Sequence, residues 1–125
     1  MNGRPSIPSG ITAELLLDVF DLPISFHRCL VPITGGVTAA LMLSQAICTS
    51  EALDPEVGGW FCRSQEEWTE ETGLSRWEQE TARRALRSGG FLEERRAGMP
   101  AKLWFRVRPE AVGRALQAHA NPVRR

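Results

Sequence analysis

Apolar positions along the chain change their period several times, and each change marks an element. Residues 11–20, ITAELLLDVF, form a dense apolar cluster that suits a short helix or a strand, and Pro23 breaks it. Residues 24–31, ISFHRCLV, alternate, with Ile24, Phe26 and Leu30 set against Ser25, His27 and Arg28. A period of two predicts a short strand. From about Gly36 to Thr49 the period lengthens, because Val37, Ala40, Leu41, Leu43, Ser44 and Ile47 recur at helical spacing. This helix is apolar on most sides, and the small Ala39 and Ala40 permit close packing, so it is expected at the centre of the core. Residues 50–59, SEALDPEVGG, are rich in turn formers, and Trp60-Phe61-Cys62 has the length of a small strand.

Between residues 64 and 90 the chain carries two helix starts and two stops. Ser64-Gln65-Glu66-Glu67 is a capping box that opens a short helix to about Thr72, and Gly73 ends it where a left-handed residue is needed. Ser75-Arg76-Trp77-Glu78 is a second capping box, opening a longer helix to about Ser88 that Gly89-Gly90 stops. Two capped helices separated by Gly73-Leu74-Ser75 predict a tight helix-turn-helix. Ala82, Ala85 and Leu86 share a face with Leu74 and should turn inward. Gln79 falls in the same phase and is expected to be buried and hydrogen-bonded.

Beyond Gly90, FLEERR and LWFRVR show partial alternation on either side of AGMPAK, whose Gly98 and Pro100 supply a hairpin turn. Pro109 suits the first position of a C-terminal helix, in which Val112 and Leu116 stand four apart. The expected architecture is α+β and mostly helical. It has a flexible tail at 1–10, a single domain over 11–120 and a basic tail at 121–125. The domain's core is expected over 36–108, with an N-terminal extension at 11–35 and the C-terminal helix at 109–120.

The run WFCRSQEEWTEETGLSRWEQETARRALRSGGFLEERRAGMPAKLWFRV resembles the winged helix-turn-helix superfamily. Its most specific part starts at Leu74-Ser75 in the turn and passes through Leu86 to Gly90-Phe91-Leu92 at the entry to the hairpin. The resemblance covers residues 36–108. More loosely, the chain is similar to small winged-helix proteins of phages, plasmids and integrated elements, including N-terminal domains of replication initiators. The resemblance implies that the second helix of the motif enters the major groove of duplex DNA and that the hairpin acts as a wing.

Charge moves the picture from fold toward partner. The 125 residues balance 15 basic against 15 acidic side chains, yet the two parts of the chain differ sharply. Residues 1–75 carry three basic and ten acidic side chains, a net −7, whereas residues 76–125 carry twelve and five, a net +7. Such asymmetry points to a polyanion-binding face; the plain alternative is that the two halves simply attract each other. On the second helix Arg76, Glu80, Arg83 or Arg84, and Arg87 recur three and four apart, and arginine forks suit guanine edges and phosphate oxygens. Glu80 fits there by accepting from a cytosine amine or by pairing with Arg84. Ser75 and Trp77 complete the candidate recognition surface, with Trp77 expected at an exposed position against DNA, a partner or the wing. The wing adds Arg95, Arg96 and Lys102, joined by Arg106 and Arg108 on its second strand, in one expected continuous basic surface. Trp60, Phe61, Trp68, Trp104 and Phe105 are expected in the core.

Other chemistry is thin. Cys29, Cys48 and Cys62 are irregularly spaced among apolar neighbours, where free cysteine behaves as a small hydrophobe; no CxxC-type metal site is formed. His27 and Cys29 lack the further ligands a metal needs, and no catalytic set or phosphate-cradling glycine loop occurs. Glu66, Glu67, Glu70 and Glu71 read as the solvated face of a helix, with the first two near its N-terminus where acids are favoured. No apolar run reaches the roughly 20 residues of a membrane span, and residues 1–10 lack the apolar stretch of a secretory signal, so a cytoplasmic protein is expected. The expectation is therefore a non-enzymatic, cofactor-free protein that binds double-stranded DNA in transcriptional regulation or mobile-element replication. Leu15, Leu16, Leu17, Val19, Phe20 and Phe26 must be covered, so a two-fold homodimer is expected, with residues 11–30 as the favoured interface and the helical segment 110–119 as a second. The alternative is that 11–30 folds back over the helix at 36–49 as monomeric core. The alternatives are a module that docks a protein of the replication or transcription machinery, and a single-strand or RNA binder.

Overall fold

The computed structural model describes residues 12–19 and 23–120. The expectations for the tails at 1–10 and 121–125 lie outside the described residues. The order of elements is α1 (Ala13–Val19), α2 (Leu30–Thr34), α3 (Val37–Glu51), β1 (Trp60–Cys62), α4 (Gln65–Thr72), α5 (Arg76–Ser88), β2 (Leu92–Ala97), β3 (Lys102–Val107) and α6 (Pro109–Ala120). The fold is α+β, mostly helical among the described residues, and its arrangement is winged-helix-like. A single 3₁₀ turn at Pro55–Val57 leads into β1.

The strands form an antiparallel sheet in the order β1-β3-β2. β3 is therefore the central strand, with Phe105 opposite Phe61 on one side and Glu94 on the other. One face of this sheet packs on the helices. There Phe61, Trp68 of α4 and Phe105 pack ring against ring, with centroids 5.3 to 6.2 Å apart. α3 runs through the middle and buries Ala39, Ala40, Met42, Leu43 and Ala46 against α5, α2 and the sheet, as its all-round apolar pattern predicts. α5 contributes Gln79, Ala82 and Leu86, and α6 contributes Val112.

The strand expected over 24–31 does not form. Residues 23–27 are irregular, and Leu30–Thr34 is a short helix closed by Gly35 at φ 91°. Alternation alone makes no strand without a neighbour to pair with, and residues 24–31 lie outside the three-stranded sheet. Pro32 sits in the first turn of α2, where its missing N–H costs nothing. Leu30 and Thr34, four residues apart, turn into the core, while Phe26 stays exposed. Instead of a strand partner, the His27 N–H finds the buried Ser44 hydroxyl at 3.0 Å.

Two glycines at the end of α5 have separate duties. Gly90 takes φ 77°, which a side chain resists. Gly89 has ordinary dihedrals, but a Cβ there would come within 2.5 Å of the Phe91 ring, so the aromatic residue that plugs the core requires it.

Candidate nucleic-acid interface

The turn between α4 and α5 is held from both sides by the residues that the capping pattern marks. The Ser64 hydroxyl accepts from the Glu67 N–H at 3.1 Å, and Glu67 accepts from the Ser64 N–H at 2.8 Å. At α5 the Ser75 hydroxyl accepts from Glu78 at 3.1 Å, and Glu78 accepts from Ser75 at 2.9 Å. Gly73 stands between them at φ 77°. Gln79 locks the turn as its phase predicts. It is buried, and its Nε2 donates within 2.9 to 3.1 Å of Gln65 O, Thr69 Oγ1 and Leu74 O. The angle between the two helices is thus set by a buried amide as well as by apolar packing.

This geometry presents the outer side of α5 to solvent. Arg76, Trp77, Glu80, Thr81, Arg84 and Arg87 are exposed, Trp77 at 75%. Ser75 is exposed as well, and its hydroxyl accepts the cap bond from Glu78 with its own proton left to donate. Of the two arginines offered for the middle of the stripe, Arg84 faces outward. Arg83 turns toward the sheet, only 16% exposed, with its guanidinium 5.9 Å from the centre of the Phe105 ring.

The partner of Arg83 is Glu94 on β2, which the sequence reading did not single out. Nε and Nη2 of Arg83 donate to the two Glu94 oxygens at 2.8 Å each, a bidentate fork, and Arg87 Nη1 approaches Oε1 at 2.9 Å. Burial pushes the Glu94 carboxyl up, but the hydrogen bond and charge of Arg83, with Arg87 behind it, outweigh that and hold it below the usual carboxylate range. The same bond raises the Arg83 guanidinium against its own desolvation. Glu94 therefore ties α5 to the hairpin. No spacing rule links residues 83, 87 and 94, so only the folded chain reveals the clamp.

The hairpin does not carry one continuous basic surface. Strand side chains alternate between the two faces, and neighbouring cations part company. Arg96, aligned with Leu103, lies on the helix side and lines a crevice of about 470 Å³ shared with Ser64, Gln65 of α4 and Arg83 of α5. Lys102, aligned with Ala97 at the hairpin end of β3, borders that crevice from the other phase of the strand. Arg95 turns to the opposite face, over the Trp60 ring at 4.5 Å, where Arg106 joins it at 4.7 Å. Arg106 and Arg108 both bond Glu93, at 2.6 and 2.8 Å, and Arg108 also reaches Glu110 at 3.3 Å. These arginines hold the Glu93 carboxyl low. Trp60 and Trp104 are half-buried, outside the ring cluster in which Phe61, Trp68 and Phe105 are fully enclosed.

What remains on the α5 side is compact. Arg76, Arg84, Arg96 and Lys102 take part in no ion pair among the described residues, and Arg87 shares its one partner with Arg83. The acidic side chains of α4 either point to solvent or pair elsewhere, as Glu71 does with Arg63 at 2.8 Å. Among the described residues no three of His, Cys, Asp and Glu are grouped to hold a metal ion, and no helix is long and apolar enough to cross a membrane. All three cysteines are free, and Cys29 and Cys48 are exposed rather than packed as small hydrophobes.

No protein-family model matches the sequence, and a search of curated proteins finds no match. Among solved structures, a chain described as the N-terminal domain of a DNA binding protein is similar over 92% of this chain and 97% of that one. The identity between them is 14% and the TM-score 0.47.

Proposed function

We propose that the protein is a winged-helix binder of double-stranded DNA, acting in transcriptional regulation or in control of mobile-element replication. The reading is carried by one observation: three cations without acidic partners among the described residues, Arg76 and Arg84 on α5 and Arg96 on the helix side of the hairpin, flank the exposed side of a rigidly capped helix, with Lys102 at the hairpin end beside them. A helix of this width fits the major groove, arginine forks suit guanine edges, and hairpin cations suit phosphates. Trp77, the most exposed aromatic side chain among the described residues, lies in the first turn of α5, where the helix meets base edges or sugar. Glu80 stays exposed beside this row and serves selectivity, by accepting from a cytosine amine.

A duplex titration at two salt concentrations tests this. Arg84→Ala is expected to weaken binding and to make the dependence of log K on log salt shallower by about one unit. Neutralising Arg96 or Lys102 should weaken binding about equally on every sequence. Unchanged affinity in all three variants would shift the reading to a module that docks a replication or transcription protein through Trp77.

The N-terminal extension bears on assembly. Leu15 and Leu16 of α1 stay 44% and 42% exposed, outside the core, and Phe26 is exposed as well. A two-fold dimer through residues 11–30 would cover them and pair two recognition helices across a near-palindrome. Light scattering is expected to give twice 13.9 kDa, and a monomer mass at all concentrations rejects the dimer.

A further inference from the structure

The sheet has a second face, turned away from α5, that the duplex reading leaves unused. Trp60 lies on β1 with the guanidiniums of Arg95 and Arg106 over its ring at 4.5 and 4.7 Å. Trp104 shares this face, since it is aligned with Cys62 on one side and Arg95 on the other. Each arginine comes from a different strand, so the three strands jointly build one stack. Arg95 is exposed and pairs with no acid among the described residues, which leaves its charge available. Resting on the indole fixes the rotamer of a long side chain and presents a flat guanidinium plane to solvent, with part of the ordering entropy already spent.

A planar cation of this kind is a platform for an unstacked base. Duplex DNA offers no free base faces to such a platform, whereas a single strand does. The face sets Arg95 and Arg106 against the single carboxylate of Glu93, which Arg106 already bonds, so a net positive charge beside flat rings remains and matches a polyanion with exposed bases. We infer that this outer face of the sheet binds single-stranded nucleic acid by stacking bases on the Arg95 and Arg106 guanidiniums held against Trp60. The face is separate from the α5 surface, so either can fail without the other.

The test uses the full chain with fluorescein-labelled oligo-dT and, in parallel, a labelled duplex. Oligo-dT is expected to bind and to quench tryptophan emission. Arg95→Ala should weaken oligo-dT binding on the order of tenfold and leave the duplex untouched. Arg95→Lys keeps the charge without the plane, so it should behave like the alanine variant. Arg84→Ala should show the reverse preference, losing duplex and keeping oligo-dT. Thermal melts of each variant confirm that the fold is retained. The inference is overturned by an absence of oligo-dT binding, which leaves the face to a protein partner. It is equally overturned by wild-type affinity in Arg95→Lys, or by equal losses on both probes in Arg95→Ala and Arg84→Ala, which would mean one shared electrostatic surface.

Discussion

Replacing Glu94 by alanine is expected to destabilise the protein by about 2–3 kcal/mol. The Glu94 side chain is only 9% exposed and receives three guanidinium contacts, two from Arg83 and one from Arg87. Its removal leaves Arg83 largely enclosed beside Phe105 with only the charge of Glu80 and no hydrogen-bonded acid, and a poorly compensated buried charge costs more than the pair ever contributed. Urea unfolding of Glu94→Ala, Arg83→Ala and the double variant measures the coupling, which should exceed about 1 kcal/mol because the two side chains act as one unit. Additive losses would show that no clamp exists. The pH dependence follows from the lowered carboxyl. A group that ionises more readily in the folded chain stabilises it above its unfolded value, about 4.3 for glutamate, and loses that contribution as pH falls through the lower folded value. The gap in stability between wild type and Glu94→Ala is therefore expected to be full at neutral pH and to narrow in acid.

The second large effect separates two tryptophans nine positions apart in the chain. Trp68→Ala is expected to cost about 4 kcal/mol, a large share of the stability of a domain this size. Its indole is 1% exposed and packs edge-on against Phe105 at 5.3 Å and Phe61 at 6.2 Å, where no neighbour can close the cavity cheaply. Trp77→Ala should stay within about 0.5 kcal/mol of wild type, since three-quarters of that side chain already faces water. In duplex titrations of folded protein the order reverses, and Trp77→Ala carries the loss of affinity. Chemical unfolding followed by circular dichroism reads the first comparison. Similar stability losses in both variants would mean that Trp77 is held against the body of the protein.

Much of this molecule was legible before folding, and the legible parts share a physical origin. The two capping boxes, the left-handed Gly73 and Gly90 and Pro109 at a helix start all depend on groups within about five residues of one another, and the buried phase of Gln79 is set by neighbours on its own helix. Interactions of that range leave a fixed spacing in the chain, so the spacing can be read directly. The central position of α3 was readable for a related reason, because a helix that is apolar all round can be stable only when it is enclosed. The α+β plan followed from the order of these local units.

The tertiary structure decided everything that needed a partner from afar. Residues 24–31 alternate like a strand yet run irregularly into α2 at Leu30, because they pair with no strand and Leu30 and Thr34 are buried at helical spacing instead. Arg83 and Arg84 are adjacent and chemically identical, but one meets Glu94 and the other meets water. Arg95 and Arg96 part in the same way, one to Trp60 and the other to the crevice beside α4, because the pleat sends successive side chains to opposite faces. The count of positive charges was a property of the sequence. Which of them remain free of acidic partners on one surface depends on where Glu93 and Glu94 arrive when the hairpin folds back on α5 and β3, a contact with no signature in the chain.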